Sequence, residues 1–142
     1  MKKFIKIIFI ISLFLLLLNC YLRKEKSPLE RRLPIFIFQI QSGSMIPEID
    51  INEIVILWKY KDYKEKDIIT YNVNNSYFVT HRIVKETEEG YVTKGDFNNT
   101  EDKQIVKKDQ IQGKVIFHSK LLGKIYEFRY YIIAILIFLL LK

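Results

Sequence analysis

The sequence predicts a mostly β protein: a small antiparallel β domain with a transmembrane helix at each end. Three observations lead there. Between Pro34 and Lys120 the chain falls into short runs rich in Ile, Val, Tyr, Phe and Thr, separated by Asn, Gly, Asp and Pro. No long helical period crosses that stretch. At both ends the apolar residues run on without alternation. The chain then divides into an anchor at 1–22, a juxtamembrane linker at 23–33, a β-rich domain at 34–120 and a C-terminal membrane segment at 121–142.

Lys2, Lys3 and Lys6 precede Ile7–Leu18, which is apolar throughout apart from Ser12. At about 1.5 Å per residue, Phe4–Leu22 reaches roughly 28 Å, close to the hydrocarbon thickness of a bilayer. Lys6 can snorkel to the headgroups. The positive flank predicts a cytosolic N-terminus, with the rest of the domain outside the cell. A cleaved signal peptide would need small residues near its cut site, and Leu18-Asn19-Cys20 has none. Lipidation at Cys20 competes too, although Asn19 is an unusual residue before a lipidated cysteine. A retained anchor is the preferred reading.

Pro28, Arg31, Arg32 and Pro34 mark the linker. Strands are expected at Ile35–Ile40, Ile54–Trp58, Asp67–Val73, Tyr77–Lys85 and Tyr91–Lys94, with turns at Asn74-Asn75 and Glu89-Gly90. Ile105–Ser119 supplies further strand, interrupted near Lys107–Asp109 and at Gly113. The final run, Tyr130–Leu141, would reach only roughly 18 Å as a helix. Leu121–Phe128 could lengthen it, but Lys124, Glu127 and Arg129 intervene. The expectation is a thin second span with Arg129 snorkelling and Lys142 in the cytosol. The alternative is a tail lying in the interface.

At 142 residues one domain is expected, and the net charge of +7 is a mild basic bias. No run of Lys and Arg exceeds two residues, so anionic lipid is a better partner than nucleic acid. Cys20 is the sole cysteine, which excludes an intrachain disulfide and a cysteine-based metal site. His81 and His118 are far apart in sequence and show no zinc-ligand spacing, and no cofactor is expected.

Chemistry concentrates in three blocks. Ser42-Gly43-Ser44-Met45-Ile46-Pro47 interrupts the first strand with small residues, where a hydroxyl can be exposed for attack. Val79-Thr80-His81-Arg82-Ile83-Val84 carries an imidazole in an alternating strand, with Tyr77, Val79 and Ile83 on its face. An ordinary imidazole titrates near pH ~6.5 and can accept a serine proton. His118 has no motif around it. Lys94-Gly95-Asp96-Phe97-Asn98-Asn99-Thr100-Glu101-Asp102 offers two carboxylates, Asp96 and Asp102, to orient that imidazole. By residue type alone either aspartate could serve, and Asp96 could equally cap a turn. The backbone N–H of Ser44 is a candidate oxyanion donor.

These blocks resemble type I signal peptidases, in particular the Ser-His-Asp subfamily of archaea, the endoplasmic reticulum and some Gram-positive bacteria. The resemblance covers about Ile40 to Asp102 plus the anchor. It departs from the family at Asn52-Glu53, where Gly-Asp is usual, and at Lys66, where Gly is frequent. It implies a small signal-peptidase-like β domain and a membrane-bound serine endopeptidase that cleaves signal peptides from exported preproteins. Ser44, His81 and Asp102 would be catalytic, Asp96 supporting, and Ser42 would join Ser44 as an oxyanion donor. Small residues before the scissile bond, an outward-facing domain and an integral place in the cell membrane follow from the same likeness. The rivals are a dedicated processing peptidase for a few surface proteins and a catalytically silent membrane-anchored β module.

Overall fold

The computed structural model describes residues 6–14, 34–74 and 76–141. Residues 6–14 are helical (α1). The strands are β1 (Ile35–Gln39), β2 (Ile54–Trp58), β3 (Ile68–Val73), β4 (Tyr77–Thr87), β5 (Gly90–Lys94) and β6 (Ile111–Ser119). A short 3-10 helix, Lys108–Gln110, leads into β6. Helices α2 (Lys120–Glu127) and α3 (Arg129–Leu141) follow. Two units are distinct: Leu33–Lys124 carries the whole sheet, while α1 and α3 belong to the other.

The strands form one six-stranded sheet in the order β1-β2-β6-β3-β4-β5, and every pairing is antiparallel. This matches the expected small β domain. β6 crosses back into the middle, between β2 and β3. Its partners are the β-branched and aromatic runs that the sequence marks as strands. The interruption expected near Lys107 is the 3-10 turn, preceded by an isolated bridge from Val106 to Tyr91. Gly113, read from sequence as a second interruption, instead continues β6. A Cβ there would lie 2.8 Å from the Trp58 carbonyl oxygen, so the glycine permits close approach to β2.

The sheet buries two apolar clusters. One holds Tyr63, Ile69, Tyr71, Ile83, Tyr91, Val106 and Ile111. The other holds Ile40, Met45, Ile49, Val55 and Leu57, with Phe36 and Phe38 packed against it. Full burial of such side chains stabilises the fold by about 1.5–3 kcal/mol each. Met45 and Ile49, which clamp the turn around Ser44, are among them. The Phe38 and Phe78 rings meet edge-on at 4.9 Å, although β1 and β4 are not neighbours in the sheet. Twist and curl bring these two strands together.

Neither expected transmembrane helix is present among the described residues: no helix there is long and apolar enough to cross a membrane. The cause is length, since α3 has 13 residues and reaches roughly 20 Å against a core of about 30 Å. Only Phe128 stands between it and α2, and Lys124, Glu127 and Arg129 place charges around that junction. Residues 1–5 and 15–22 of the expected N-terminal anchor lie outside the described residues, as does all of the expected linker at 23–33.

Candidate active site

The chain leaves β1, loops through residues 41–53 and returns to β2. Ile40 and its partners close this loop: Ile40 N donates to the Glu53 carbonyl and Asn52 N to the Ile40 carbonyl, each at 2.9 Å. Inside it, Ile46 N bonds the Gly43 carbonyl and Ile49 N bonds the Met45 carbonyl. Met45 is 1% exposed and Ile49 fully buried, so the apolar residues pin the turn from below. Ser44, next to them, remains partly exposed.

His81 projects from β4 on the same face as Ile83 and is buried to 7% exposure. Its Nε2 lies 3.1 Å from Ser44 Oγ, and its Nδ1 lies 2.6 Å from Asp102 Oδ2. With Asp102 ionised, Nδ1 carries the proton and donates to it. Nε2 is then left with a lone pair for the Ser44 hydroxyl. The structure thus brings Ser44, His81 and Asp102 into one hydrogen-bonded line.

Asp102 is held from further directions. Thr93 Oγ1 donates to the same Oδ2 at 2.7 Å and the Tyr71 hydroxyl does so at 3.2 Å. Asp102 N bonds the Thr93 carbonyl at 2.8 Å. Burial, and then the negative charge of Asp102, push the Tyr71 phenol well above its ordinary range, so it stays a donor. Neither Tyr71 nor Thr93 stands out in the sequence. Both reach Asp102 only through long-range pairing, and a tyrosine or threonine in a strand carries no local signal of such a role.

Asp96 does not meet His81. Its two oxygens take Nε and Nη2 of Arg82 at 2.9 and 2.6 Å. Arg82 also donates to the Lys66 carbonyl at 3.1 Å, and Glu48 stands 3.9 Å away. The fork therefore ties the Asp96 loop, the Lys66 turn and the loop that carries Ser44. Phe97 N adds a bond of 2.9 Å to the Ser44 carbonyl. Between these ties sits Gly95, where a Cβ would fall 2.6 Å from the Ser44 carbonyl oxygen and 2.9 Å from His81 Nε2.

Ser42 Oγ is 3.4 Å from Ser44 Oγ, a near neighbour rather than a strong bond. His118 is engaged elsewhere, with Nδ1 2.8 Å from Glu53 Oε2. Among the described residues no group of His, Cys, Asp or Glu is arranged to hold a metal ion. An open cleft of about 330 Å³, lined by Pro47, Glu48, Val84, Lys94, Gly95 and Asp96, adjoins the site.

A hydroxyl, an imidazole and a carboxylate in this order have the geometry of an acyl-transfer site. The chain is 33% identical over 82 residues to signal peptidase I W of Bacillus subtilis, a match covering 53% of this chain and 43% of the relative. It is 34% identical over 85 residues to the signal peptidase complex catalytic subunit SEC11 of Pyricularia oryzae, covering 54% of this chain and 49% of the relative. The chain thus spans about half the length of the curated relatives it matches. No protein-family model matches it. These similarities support a peptidase related to the signal peptidases.

Proposed function

We propose that the chain is a membrane-bound serine endopeptidase of the Ser-His-Asp signal peptidase subfamily, which removes signal peptides from exported preproteins. The observation that carries this reading is His81, bonded to Ser44 on one nitrogen and to Asp102 on the other. The likeness to a fungal signal peptidase complex catalytic subunit supports the subfamily. Ser44 Oγ attacks the scissile carbonyl while His81 Nε2 takes its proton. Asp102 holds the imidazole and stabilises the imidazolium. The tetrahedral oxyanion is met by the Ser44 N–H and the Ser42 hydroxyl. His81 then passes its proton to the leaving amine, and the acyl-enzyme on Ser44 is cleared by water.

In this reading Asp96 supports the site by holding Arg82 and the loops it ties. Residues 34–120 form the peptidase domain, on the outer face of the cell membrane, and the segments at 1–22 and 121–142 attach it there. The detergent-solubilised chain, incubated with a preprotein, should release a mature product with a new N-terminus readable by sequencing. Ser44→Ala should abolish the release while leaving the thermal melt of the β domain in place. Full activity in purified Ser44→Ala would sink the assignment.

A further inference from the structure

Among the described residues the buried polar and charged ones are Glu53, Thr70, His81 and Thr93. His81 and Thr93 belong to the candidate site, and Thr70 Oγ1 meets Thr80 Oγ1 at 2.8 Å. Glu53 is the acid of this group, and the proposed chemistry does not use it. It is 7% exposed. A carboxylate so placed is costly unless a partner is built for it. That partner is His118 of β6, whose Nδ1 lies 2.8 Å from Glu53 Oε2. The sheet brings the two together, since His118 stands opposite Val55 in the β2–β6 register. Lys120 and Asp50 meet nearby at 2.6 Å, but both are exposed, and such a pair contributes little.

Glu53 is the last residue of the loop that carries Ser44. Its carbonyl accepts from Ile40 N at 2.9 Å, which closes the loop. Just before it Asn52 turns with a φ of 67°, a left-handed conformation that asparagine tolerates. Ile40, Met45 and Ile49 pack with Val55 in one buried cluster. Close packing of this kind transmits a displacement instead of absorbing it. Ser44 is carried by that packed loop. At the front, Phe97 N holds the Ser44 carbonyl. At the rear, the Glu53 side chain ties the loop to β6. The 3.1 Å between Ser44 Oγ and His81 Nε2 is therefore set between a front and a rear fastening.

Resting on the peptidase reading above, we propose that Glu53 and His118 are positioning residues, whose buried bond fixes the rear of the nucleophile loop and so the reach of Ser44 to His81. Neither takes part in the chemistry. The second histidine of the chain serves the same reaction as the first, through the loop and not through proton transfer.

The test uses the full chain in detergent micelles, cleaving one preprotein well below the melting temperature of each variant. His118→Phe removes the donor and keeps a ring. Glu53→Asp keeps the charge and withdraws it from His118 by one methylene. Glu53→Gln keeps the length and an oxygen that accepts the same bond. His118→Phe and Glu53→Asp should each lower kcat by about tenfold with KM little changed, within the ~10²-fold that a 1 Å misplacement costs. Glu53→Gln should keep most of the rate. The double variant Glu53→Asp/His118→Phe should lose no more than either single one, because both act through one bond. A kcat within about twofold of wild type in folded His118→Phe would overturn the inference, whatever its melting temperature, by leaving the pair a role in stability alone. If that variant does not fold, Glu53→Asp carries the same test. Failure of both to fold would make the pair a requirement of the fold and overturn the inference as well. Losses that multiply in the double variant would also overturn it. A wild type that releases no mature product would overturn the peptidase reading together with the inference.

Discussion

Asp102 Oδ2 accepts from His81 Nδ1, Thr93 Oγ1 and the Tyr71 hydroxyl, which makes it the anchor of the candidate site. A carboxylate held from three directions cannot swing away, so the imidazole it grips keeps one tautomer and one orientation. Asp102→Ala should therefore cost up to ~10⁴ in kcat, the scale for a lost triad carboxylate. Glu101→Ala removes a charge from the same loop and should leave the rate near wild type. Asp96→Asn should fall between, because it loosens the Arg82 fork without touching His81. A dead Asp96→Asn beside a near-normal Asp102→Ala would reverse the two roles. Tyr71→Phe removes one donor to Asp102, worth about 1–3 kcal/mol where the group is buried, and should lower kcat by roughly tenfold. Tyr71 also sets a pH signature. Its phenol titrates above the ordinary range when folded, so the native state binds the proton more tightly than the unfolded chain does. The stability this gives is complete below about pH 10 and is lost as pH rises beyond that value. Alkaline melts of wild type should fall more steeply there than those of Tyr71→Phe. At this scale the sequence made Ser44, His81 and Asp102 legible because each stands in a recognisable block. It left Tyr71 and Thr93 hidden, since β3 and β5 must be placed around β4 before either can be seen near Asp102.

Strands and loops meet at glycines in this chain, and the elements respond to them differently. Gly95 packs against both the Ser44 backbone and the His81 ring. Gly95→Ala should lower kcat by a hundredfold or more, a loss measurable on the same preprotein, because the added carbon would press on the Ser44 carbonyl oxygen at 2.6 Å, the Asn98 side-chain nitrogen at 2.8 Å and His81 Nε2 at 2.9 Å. Gly123 lies on the face of α2 that covers the loop before β2, where a Cβ would sit 2.0 Å from the Asn52 carbonyl oxygen. Gly123→Ala must lift the helix from that loop. It should lower the melting temperature by several degrees, in keeping with about 2 kcal/mol for overpacking against rigid backbone. Calorimetry of the two variants separates them: Gly123→Ala loses stability first, Gly95→Ala loses activity first. The strand positions were legible from β-branched and aromatic runs bounded by turn residues. The topology was not, since nothing local says that β6 enters between β2 and β3. Gly113 misleads for a related reason: a glycine in a strand reads as a break, yet here it admits the backbone of β2.

The whole molecule joins a β unit with an ordinary buried core to helices of another character. Ile7, Ile10, Ile11 and Phe14 of α1 are exposed, as are Ile132, Ile135, Ile137, Phe138 and Leu139 of α3. Helices apolar on all sides are unfavourable in water by about 25 cal/mol for each Å² left bare. The 13 residues of α3 are too few to span, so the physical demand it makes is for an apolar surrounding rather than for a particular crossing. Basic residues accompany both: Lys6 is the first described residue of α1, and Arg129 begins α3, with its guanidinium 4.0 Å from the centre of the Tyr126 ring and 4.4 Å from that of Tyr130. Such an arrangement suits the headgroup layer, where aromatic rings and cations settle together. The expressed chain should sediment with membranes and resist an alkaline carbonate wash, and detergent should release it. Replacing Ile135 and Phe138 with lysine should weaken this retention if the C-terminal helix contributes to it, whereas the preprotein cleavage measured in detergent should persist. Intact mass then distinguishes the means of attachment at the other end. A chain that keeps residues 1–22 supports a retained anchor, and one that begins at Cys20 with an added lipid supports lipidation. A chain found in the carbonate supernatant, with its N-terminus intact, would defeat the membrane part of the proposal while leaving the chemistry of Ser44 and His81 to be judged on its own.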